Sequence, residues 1–395
     1  MTNIAIVGTG EAPHGLFPER STIGVGVDVA MEAITDAGLD PGDVDAILTA
    51  PAFGDADVNM DLNFGRLTQE LGLRGRTRHA FMVNQGGTTG ANLVRVAQGL
   101  ISAGEVRTVL CVHTDNFSRM TLPEIWRFFE TAGFNSEFEY PVGMTYHAIA
   151  ALAASRFFHE TGTTPEQLAA VAVSHRRWAQ LNPNAMNRDP LTVERVLSSP
   201  VPQSPLHNFE IPPMTDGGAA FVVTDADTAS KMVERPAYLH ADASRVNTYS
   251  FTQYDDLTRM NWKEVGDRAY AEAGITAADI DIAELYMAYP IFDLILLEEL
   301  GFAGRGEAGA FVESGATLPG GSLPMTTNGG AMSMGHTGAG VGVAMIVEAA
   351  RQVMGKAGER QVPDVEFVLE TSAGGSYMDS NAAIYGAEKP KESGR

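Results

Sequence analysis

Apolar and polar positions follow two distinct patterns along this chain of 395 residues. Short apolar runs, such as 109–112 and 221–223, are typical of strands that are buried on both faces. The first such run starts within the first few residues and predicts a strand there. Longer segments with apolar residues on one side, such as 146–159, predict amphipathic helices. Because predicted strands and helices alternate, the chain is expected to form α/β layers.

Two pairs of similar segments predict an internal duplication. Residues 33–45 and 269–281 each predict a helix closed by Ala-Gly, a short polar turn and a strand. Two helices rich in small residues, 90–104 and 338–356, are each followed by a strand, at 106–112 and 365–369. Because both pairs occur in the same order, duplication is favoured over chance similarity. The small side chains predict that these two helices pack tightly between sheets, and the second is expected to end at Ala357-Gly358.

The segment 117–207 interrupts the repeated pattern. It holds the aromatic cluster 126–129, the predicted helix 146–159 and a turn at 182–184. We interpret it as an insertion that caps the first half, with a separate small domain as the alternative. The predicted organisation is therefore an N-terminal half, 1–230, a C-terminal half, 231–386, and a flexible tail, 387–395.

Composition narrows the function classes. Hydrophobic residues make up 44% and charged residues 19% of the chain, which is typical of a globular protein. The formal net charge of −22 argues against binding to nucleic acid or to anionic lipid. No apolar run has membrane-spanning length and no signal peptide is evident, so we expect a cytoplasmic protein. The single cysteine, Cys111, excludes an intrachain disulfide and is expected to be inert core within its apolar strand.

A series of short motifs, in order along nearly the whole chain, resembles the thiolase superfamily, and in particular its sterol-carrier-protein branch. The resemblance implies a duplicated five-layer αβαβα fold, a homodimer and a coenzyme A thioester substrate. The motifs are 163–168, 174–179, 181–185, 215–220, 298–302, 328–330, 335–336 and 355–362.

The residues that carry thiolase chemistry are changed in this chain. The segment that resembles the family's Cys-x-Ser-Gly nucleophile motif has Gly87 in place of the cysteine. The family's His-Asp-Ala-Phe or Asn-Glu-Ala-Phe segment appears as 286–289, with Tyr286 and Tyr289 at its ends, and a further cysteine is absent from 371–375. Only the Gly-His motif, Gly335-His336, is kept. Without the thiol, the usual acyl-enzyme cannot form.

The resemblance assigns roles to the residues that remain. His336 is expected to donate to the thioester oxygen, and backbone N–H groups near Gly87 and Gly375 to form a second oxyanion site. The glycine at position 87 is expected to leave room for a bulkier substrate. Tyr289 is the candidate acid/base, with Tyr286 as the competing candidate. The alternative for Tyr289 is a structural role, in which its ring packs as the family's phenylalanine does.

Other side chains are weaker candidates. Tyr377 is a third candidate for acid/base chemistry, whereas Thr88 and Thr89 lack an adjacent base and are expected to be structural. Arg177 and Arg188 are candidate phosphate contacts. No zinc site is expected, because the histidines at 79, 113, 147, 159, 175 and 207 lack the spacing of metal ligands.

These features predict a retro-aldol lyase that cleaves a β-hydroxyacyl-CoA without a covalent intermediate. The chain resembles cysteine-less steroid side-chain aldolases at positions 87 and 289, which implies a steroid side-chain thioester as substrate and a small partner with an OB-fold and a zinc ribbon. Those aldolases also carry a tyrosine near the Gly-His motif, where this chain has Met334. No cofactor is expected beyond the coenzyme A of the substrate. The alternatives are acyl transfer to free coenzyme A, as in a thiolase, and a non-catalytic acyl-CoA-binding subunit of a lipid-degrading complex.

Overall fold

The computed structural model describes residues 2–53, 62–131 and 133–390, with only the backbone described at 126 and 128–131. Its strands are β1 Ile4–Gly15, β2 Ala46–Thr49, β3 His79–Met82, β4 Thr108–Asp115, β5 Asp216–Asp225, β6 Ala237–Val246, β7 Ile282–Leu285, β8 Phe367–Ser372 and β9 Asp379–Gly386. Its α-helices are α1 Thr22–Asp36, α2 Asn63–Glu70, α3 Thr89–Ser102, α4 Leu122–Thr131, α5 Tyr146–Thr161, α6 Pro165–Leu181, α7 Val193–Leu197, α8 Ala226–Met232, α9 Trp262–Ala273, α10 Pro290–Glu299, α11 Ala308–Glu313 and α12 Val341–Met354.

The sheet repeats one strand order in its two halves. Its order is β3-β2-β4-β5-β1-β6-β9-β8-β7. In the first half β2 is parallel to β4, and β4, β5 and β1 are antiparallel neighbours. In the second half β7 is parallel to β8, and β8, β9 and β6 are antiparallel neighbours. The strands β1 and β6 join the halves, and the predicted duplicated α/β fold is confirmed.

The duplicated helix–turn–strand segments have matching local structure. The helices α1 and α9 are followed by the left-handed glycines Gly38 (φ 70°) and Gly274 (φ 73°). Asp45 and Asp281 then precede the strands β2 and β7. The Asp45 carboxylate accepts backbone N–H groups of residues 107 and 108, and the Asp281 carboxylate accepts those of residues 366 and 367. The same side chain therefore ties each helix–strand unit to the following strand.

Apolar clusters divide the molecule into layers. The helices α3 and α12 pack on one face of both halves of the sheet, while α1 and α8 cover the other face of the first half. The helices α9 and α10 cover the other face of the second half. The helices α3 and α12 also approach each other closely, since a Cβ at Gly90 would lie 2.7 Å from the carbonyl carbon of Gly342.

The segment predicted to cap the first half packs mainly on the second half. Its helices α5 and α6 share one apolar cluster with α9, α10 and α11. The indole of Trp178 on α6 donates to the carbonyl of Thr317 (2.8 Å), and Asn182 donates to that of Asn328 (2.9 Å). Sequence order misled the prediction, because the segment follows β4 in the chain but completes the core of the other half.

The ends of elements and of the chain differ in part from the predictions. The helix α12 ends at Met354, earlier than predicted, because Gly355 takes a left-handed conformation (φ 73°). Of the tail predicted to be flexible, residues 388–390 contact His240, Asp227 and Asn3, while 391–395 lie outside the described residues. No helix in the described part of the chain is long and apolar enough to cross a membrane. The division at 230/231 stays a prediction.

Candidate active site

A cavity of about 760 Å³ lies where loops from both halves and the inserted segment meet. It collects all of the sequence-predicted site residues at 87, 286, 289, 336 and 375. Most of the remaining wall is apolar or aromatic. Those wall residues include Phe53, Leu122, Ile125, Phe134, Tyr146, Pro212, Met214, Tyr249 and Met378. The cavity therefore suits a largely apolar ligand with a few fixed polar contacts.

The space beside Gly87 is filled by the ring of Tyr286. A Cβ at position 87 would lie 2.4 Å from Cε1 of Tyr286 and 2.1 Å from the carbonyl oxygen of Ala373, both closer than real Cβ contacts. The expectation that this glycine leaves room for a bulkier substrate is therefore wrong. The phenol of Tyr286, in the loop that follows β7, occupies the space that a side chain at position 87 would need.

His336 lies beside that phenol and presents its Nε2. The residue follows a π-helical turn, Gly330–Met334, and its Nδ1 accepts the backbone N–H of Gly338 (3.1 Å). Because Nδ1 is an acceptor, we assign the proton of the neutral ring to Nε2. Nε2 is 3.4 Å from Oη of Tyr286. Burial lowers the pKa of His336 to about 4, so its ring is neutral at physiological pH.

The loop that leads to His336 is anchored by a buried charged network. The hydroxyl of Thr327 contacts Glu284 on β7 (2.5 Å) and Glu348 on α12 (2.7 Å). The Arg360 guanidinium pairs with both oxygens of Glu348, at 2.8 to 3.0 Å. Burial, with the nearby Glu348 second, raises the pKa of Glu284 above its ordinary value. One hydroxyl proton cannot satisfy two carboxylates, which agrees with a protonated Glu284.

Tyr289 immediately precedes α10 and contacts His147 at the start of α5. Its Oη lies 2.6 Å from Nδ1 of His147, and the two rings meet edge to face with centroids 5.7 Å apart. Tyr289 is 3% exposed, and burial raises its pKa, as it does for Tyr286. Both phenols are therefore protonated at neutral pH. Nothing in the sequence links positions 147 and 289, so the contact of His147 with the site could not be predicted from it.

Glycines allow three loops to meet at the cavity floor. The chain at Gly86-Gly87 packs against 373–375, since a Cβ at Gly86 would lie 2.8 Å from the backbone nitrogen of Gly375. Gly375 is left-handed (φ 53°), and a Cβ at Gly133 of the inserted segment would lie 2.9 Å from its Cα. Because side chains are excluded there, backbone groups border the cavity at the two positions predicted to form an oxyanion site.

Tyr377 also lines the cavity, in an unusual backbone conformation. Its φ is 63°, a value that non-glycine residues rarely adopt. Its ring packs on Phe292 with centroids 4.0 Å apart, and its carbonyl accepts the hydroxyl of Tyr254 (2.6 Å). Backbone strain of this kind costs energy and tends to occur at functional sites.

The weaker candidates lie in structural contacts or at a distance. The hydroxyl of Thr88 donates to Asp379 (2.6 Å) and that of Thr89 donates to the carbonyl of Gly86 (2.6 Å). Cys111 is fully buried in β4, where desolvation raises its pKa, and it does not line the cavity. Arg177 and Arg188 are exposed and do not line it either. Among the described residues no cluster of three metal-binding side chains occurs.

Comparisons with known proteins agree with this architecture. Residues 243–387 match the family described as "Thiolase C-terminal domain-like". The chain is 32% identical to the 17-hydroxy-3-oxo-4-pregnene-20-carboxyl-CoA lyase of Mycobacterium tuberculosis, over 94% of this chain and 96% of that protein. It is 28% identical to an acetyl-CoA acetyltransferase of Methanothermobacter thermautotrophicus, over 95% and 97%. The solved structure named "Ltp2-ChsH2(DUF35) aldolase" superimposes with a TM-score of 0.83 at 28% identity, covering 98% of both chains.

Proposed function

Since the chain belongs to the thiolase superfamily, we propose that it is a carbon–carbon lyase that cleaves a β-hydroxyacyl-CoA by a retro-aldol reaction. The observation that carries this proposal is the ring of Tyr286 in the space beside Gly87. A thiolase needs a nucleophile at that position to hold the acyl group. Here a hydrogen-bonding phenol takes the space instead, beside the retained His336.

The proposed reaction needs an electron sink and a proton acceptor. A base takes the proton of the β-hydroxyl, the O–H electrons form the carbonyl, and the Cα–Cβ bond breaks. The electron pair of that bond enters the thioester as an enolate. Nε2–H of His336 and O–H of Tyr286 are donors that stabilise the enolate oxygen. Both groups are neutral and buried, so their dipoles act in a medium of low dielectric.

Tyr289 is the group that we propose as the acid/base of this mechanism. Its hydroxyl lines the same cavity as Tyr286 and His336, on the side formed by α5 and α10. We assign the Tyr289 hydroxyl to the β-hydroxyl of the substrate, and Tyr286 and His336 to the thioester oxygen. Protonation of the enolate at Cα then yields the shortened acyl-CoA, and the ketone or aldehyde leaves without any further acceptor.

Acyl transfer to coenzyme A is the competing function. The similarity to an acetyl-CoA acetyltransferase favours it at the level of the family. It requires a nucleophile or free coenzyme A as acceptor, and the single cysteine lies buried in β4, outside the cavity. Lyase chemistry needs neither and agrees with the lyase and aldolase among the relatives.

Substrate, partner and assembly are further parts of the proposal. A relative's name includes a pregnene-carboxyl-CoA, and the apolar cavity of about 760 Å³ supports a steroid side-chain thioester here. The similar solved aldolase is named for two components, which supports a partner protein for this chain. That this partner is small and carries an OB-fold and a zinc ribbon is the part of the proposal that only the family resemblance implies. We further propose a homodimer that works in the cytoplasm, with no cofactor beyond the coenzyme A of the substrate.

The test is cleavage by the purified chain together with any small protein that copurifies with it. A lyase converts a β-hydroxyacyl-CoA to a ketone or aldehyde and a shortened acyl-CoA in the absence of free coenzyme A. Product that forms only when free coenzyme A is added identifies acyl transfer instead. Tight binding of the thioester with no turnover under either condition identifies a non-catalytic subunit.

A further inference from the structure

We propose that His147 is the final acceptor of the β-hydroxyl proton, which reaches it through the hydroxyl of Tyr289. This inference rests on the proposed lyase function and adds to it a residue outside the family motifs. It makes the pair His147–Tyr289 a relay in which the phenol never carries a full negative charge. His147 belongs to the inserted segment. In this proposal the inserted segment therefore supplies a proton acceptor in addition to residues that line the cavity.

The geometry of the pair is set by two helix N-termini. His147 is the second residue of α5, whose N-cap Thr145 accepts the backbone N–H of Ala148 (3.1 Å). Tyr289 is the N-cap residue of α10, directly before Pro290. Both helices belong to one apolar cluster, and both side chains line the cavity. A contact of 2.6 Å between Nδ1 and Oη is thus held by rigid elements on both sides.

A relay explains how a buried tyrosine can act as a base. Burial raises the pKa of Tyr289, with the nearby Tyr146 and Tyr286 adding smaller effects in the same direction, so a free phenolate is costly. Burial lowers the pKa of His147, which keeps its imidazole neutral and able to accept a proton. In one step the substrate O–H breaks, Oη takes that proton, and the phenol's own proton passes to Nδ1.

The proton returns by the same route. After the Cα–Cβ bond breaks, the imidazolium at His147 gives its proton back to Oη of Tyr289 as the phenol protonates the enolate carbon. The positive end of the α5 helix dipole destabilises the imidazolium, so the imidazolium gives up its proton readily in this step. No net proton is gained or lost in the cycle. Among the residues that the structure describes, the titratable groups that act on Tyr289 are Tyr146 on α5, Tyr286 after β7 and Tyr377 in the loop after β8.

Kinetics with His147→Ala test the relay. We expect kcat to fall by about 10²- to 10⁴-fold, the range for loss of a general base, while the circular dichroism spectrum shows that the fold is kept. Added imidazole should restore part of the rate, and more of it at pH values where imidazole is neutral. The matched control is His159→Ala, which removes an exposed histidine at the other end of α5 and should keep the wild-type rate. An unchanged kcat in His147→Ala, or a loss that imidazole does not restore, would overturn the proposal.

A measurement on the resting protein tests the relay without turnover. Nitrogen NMR of labelled histidine, assigned with the His147→Ala spectrum, reports which ring nitrogen carries the proton. The relay requires Nε2–H and an unprotonated Nδ1 whose signal shifts in Tyr289→Phe. A proton on Nδ1 would overturn it. If the wild-type protein cleaves no β-hydroxyacyl-CoA, the lyase function fails, and this measurement still decides the direction of the hydrogen bond.

Discussion

At the scale of single residues, Gly87 and Tyr286 act as one unit. The ring of Tyr286 needs the absence of a side chain at position 87, and its hydroxyl then comes within 3.4 Å of Nε2 of His336. Position 87 has no side chain that could act as a nucleophile, and a neutral phenol lies beside it. In the proposed lyase, this pair accounts for a site that keeps its histidine but forms no covalent acyl intermediate.

The variant Tyr286→Phe tests the proposed donor. It keeps the ring that fills the cavity beside Gly87 and removes only the hydroxyl. We expect kcat to fall by roughly 10²- to 10³-fold, as for the loss of one oxyanion donor. Steady-state kinetics of β-hydroxyacyl-CoA cleavage provide the measurement. The control is Tyr270→Phe, which removes a hydroxyl that donates to Leu300 (3.0 Å) away from the cavity, and should change stability but not kcat. Equal rates in Tyr286→Phe and wild type would exclude this role.

Packing at position 87 predicts a stability effect as well. In Gly87→Ala the new methyl meets the carbonyl of Ala373 and the ring of Tyr286, so we expect a loss of about 1–3 kcal/mol of unfolding free energy. Gly99→Ala is the control within the same region, because a Cβ there meets no atom within 4 Å and the residue lies on an exposed part of α3. That control should gain about 0.5–1 kcal/mol. Urea denaturation measures both, and a loss of similar size in the two variants would contradict the packing argument.

At the scale of elements, the groups proposed to be catalytic lie where helices begin and strands end. Tyr286 follows β7, Tyr289 precedes α10 and His147 starts α5. His336 lies in a loop tied to β7 and α12 through Thr327. Positions of this kind are held by rigid elements while the side chains stay accessible to the cavity.

The buried network of Glu284, Thr327 and Glu348, which anchors the loop that leads to His336, should make the unfolding free energy depend on pH. The pKa of Glu284 is higher in the folded protein than in the unfolded chain, so the folded state binds more protons. The unfolding free energy therefore falls as the pH rises above the ordinary pKa of a glutamate. The variant Glu284→Gln cannot ionise and keeps an acceptor for Thr327. Its stability relative to wild type should increase between about pH 5 and about pH 8, by about 1.4 kcal/mol for each unit of pKa shift removed.

Denaturation curves at several pH values measure this difference. The control is Glu272→Gln on the exposed side of α9, which should run parallel to wild type across the range. Parallel curves for Glu284→Gln would mean that Glu284 is ionised in both states. A steeper loss in the variant than in wild type would contradict the sign of the argument.

At the scale of the whole molecule, the charge of −22 opposes the approach of a coenzyme A thioester. Salt screens this repulsion, since the Debye length falls from about 30 Å at about 0.01 M to about 8 Å at about 0.15 M. We therefore expect KM for a β-hydroxyacyl-CoA to fall as salt rises over this range. The matched control is the pantetheine thioester, which lacks the nucleotide phosphates and should show little change. A KM that rises with salt would indicate a cationic surface that attracts the phosphates.

The sequence by itself determined the duplicated layers, the packed small-residue helices and the identity of the altered family positions. These follow from local periodicity and from short ordered motifs, both of which are carried by neighbours in the chain. Tertiary structure alone decided that Tyr286 occupies the space beside Gly87, that the inserted segment packs on the second half, and that His147 meets Tyr289. Those contacts join residues that are far apart in the chain. They depend on how loops from different halves pack together, and a local sequence pattern carries no information about that packing.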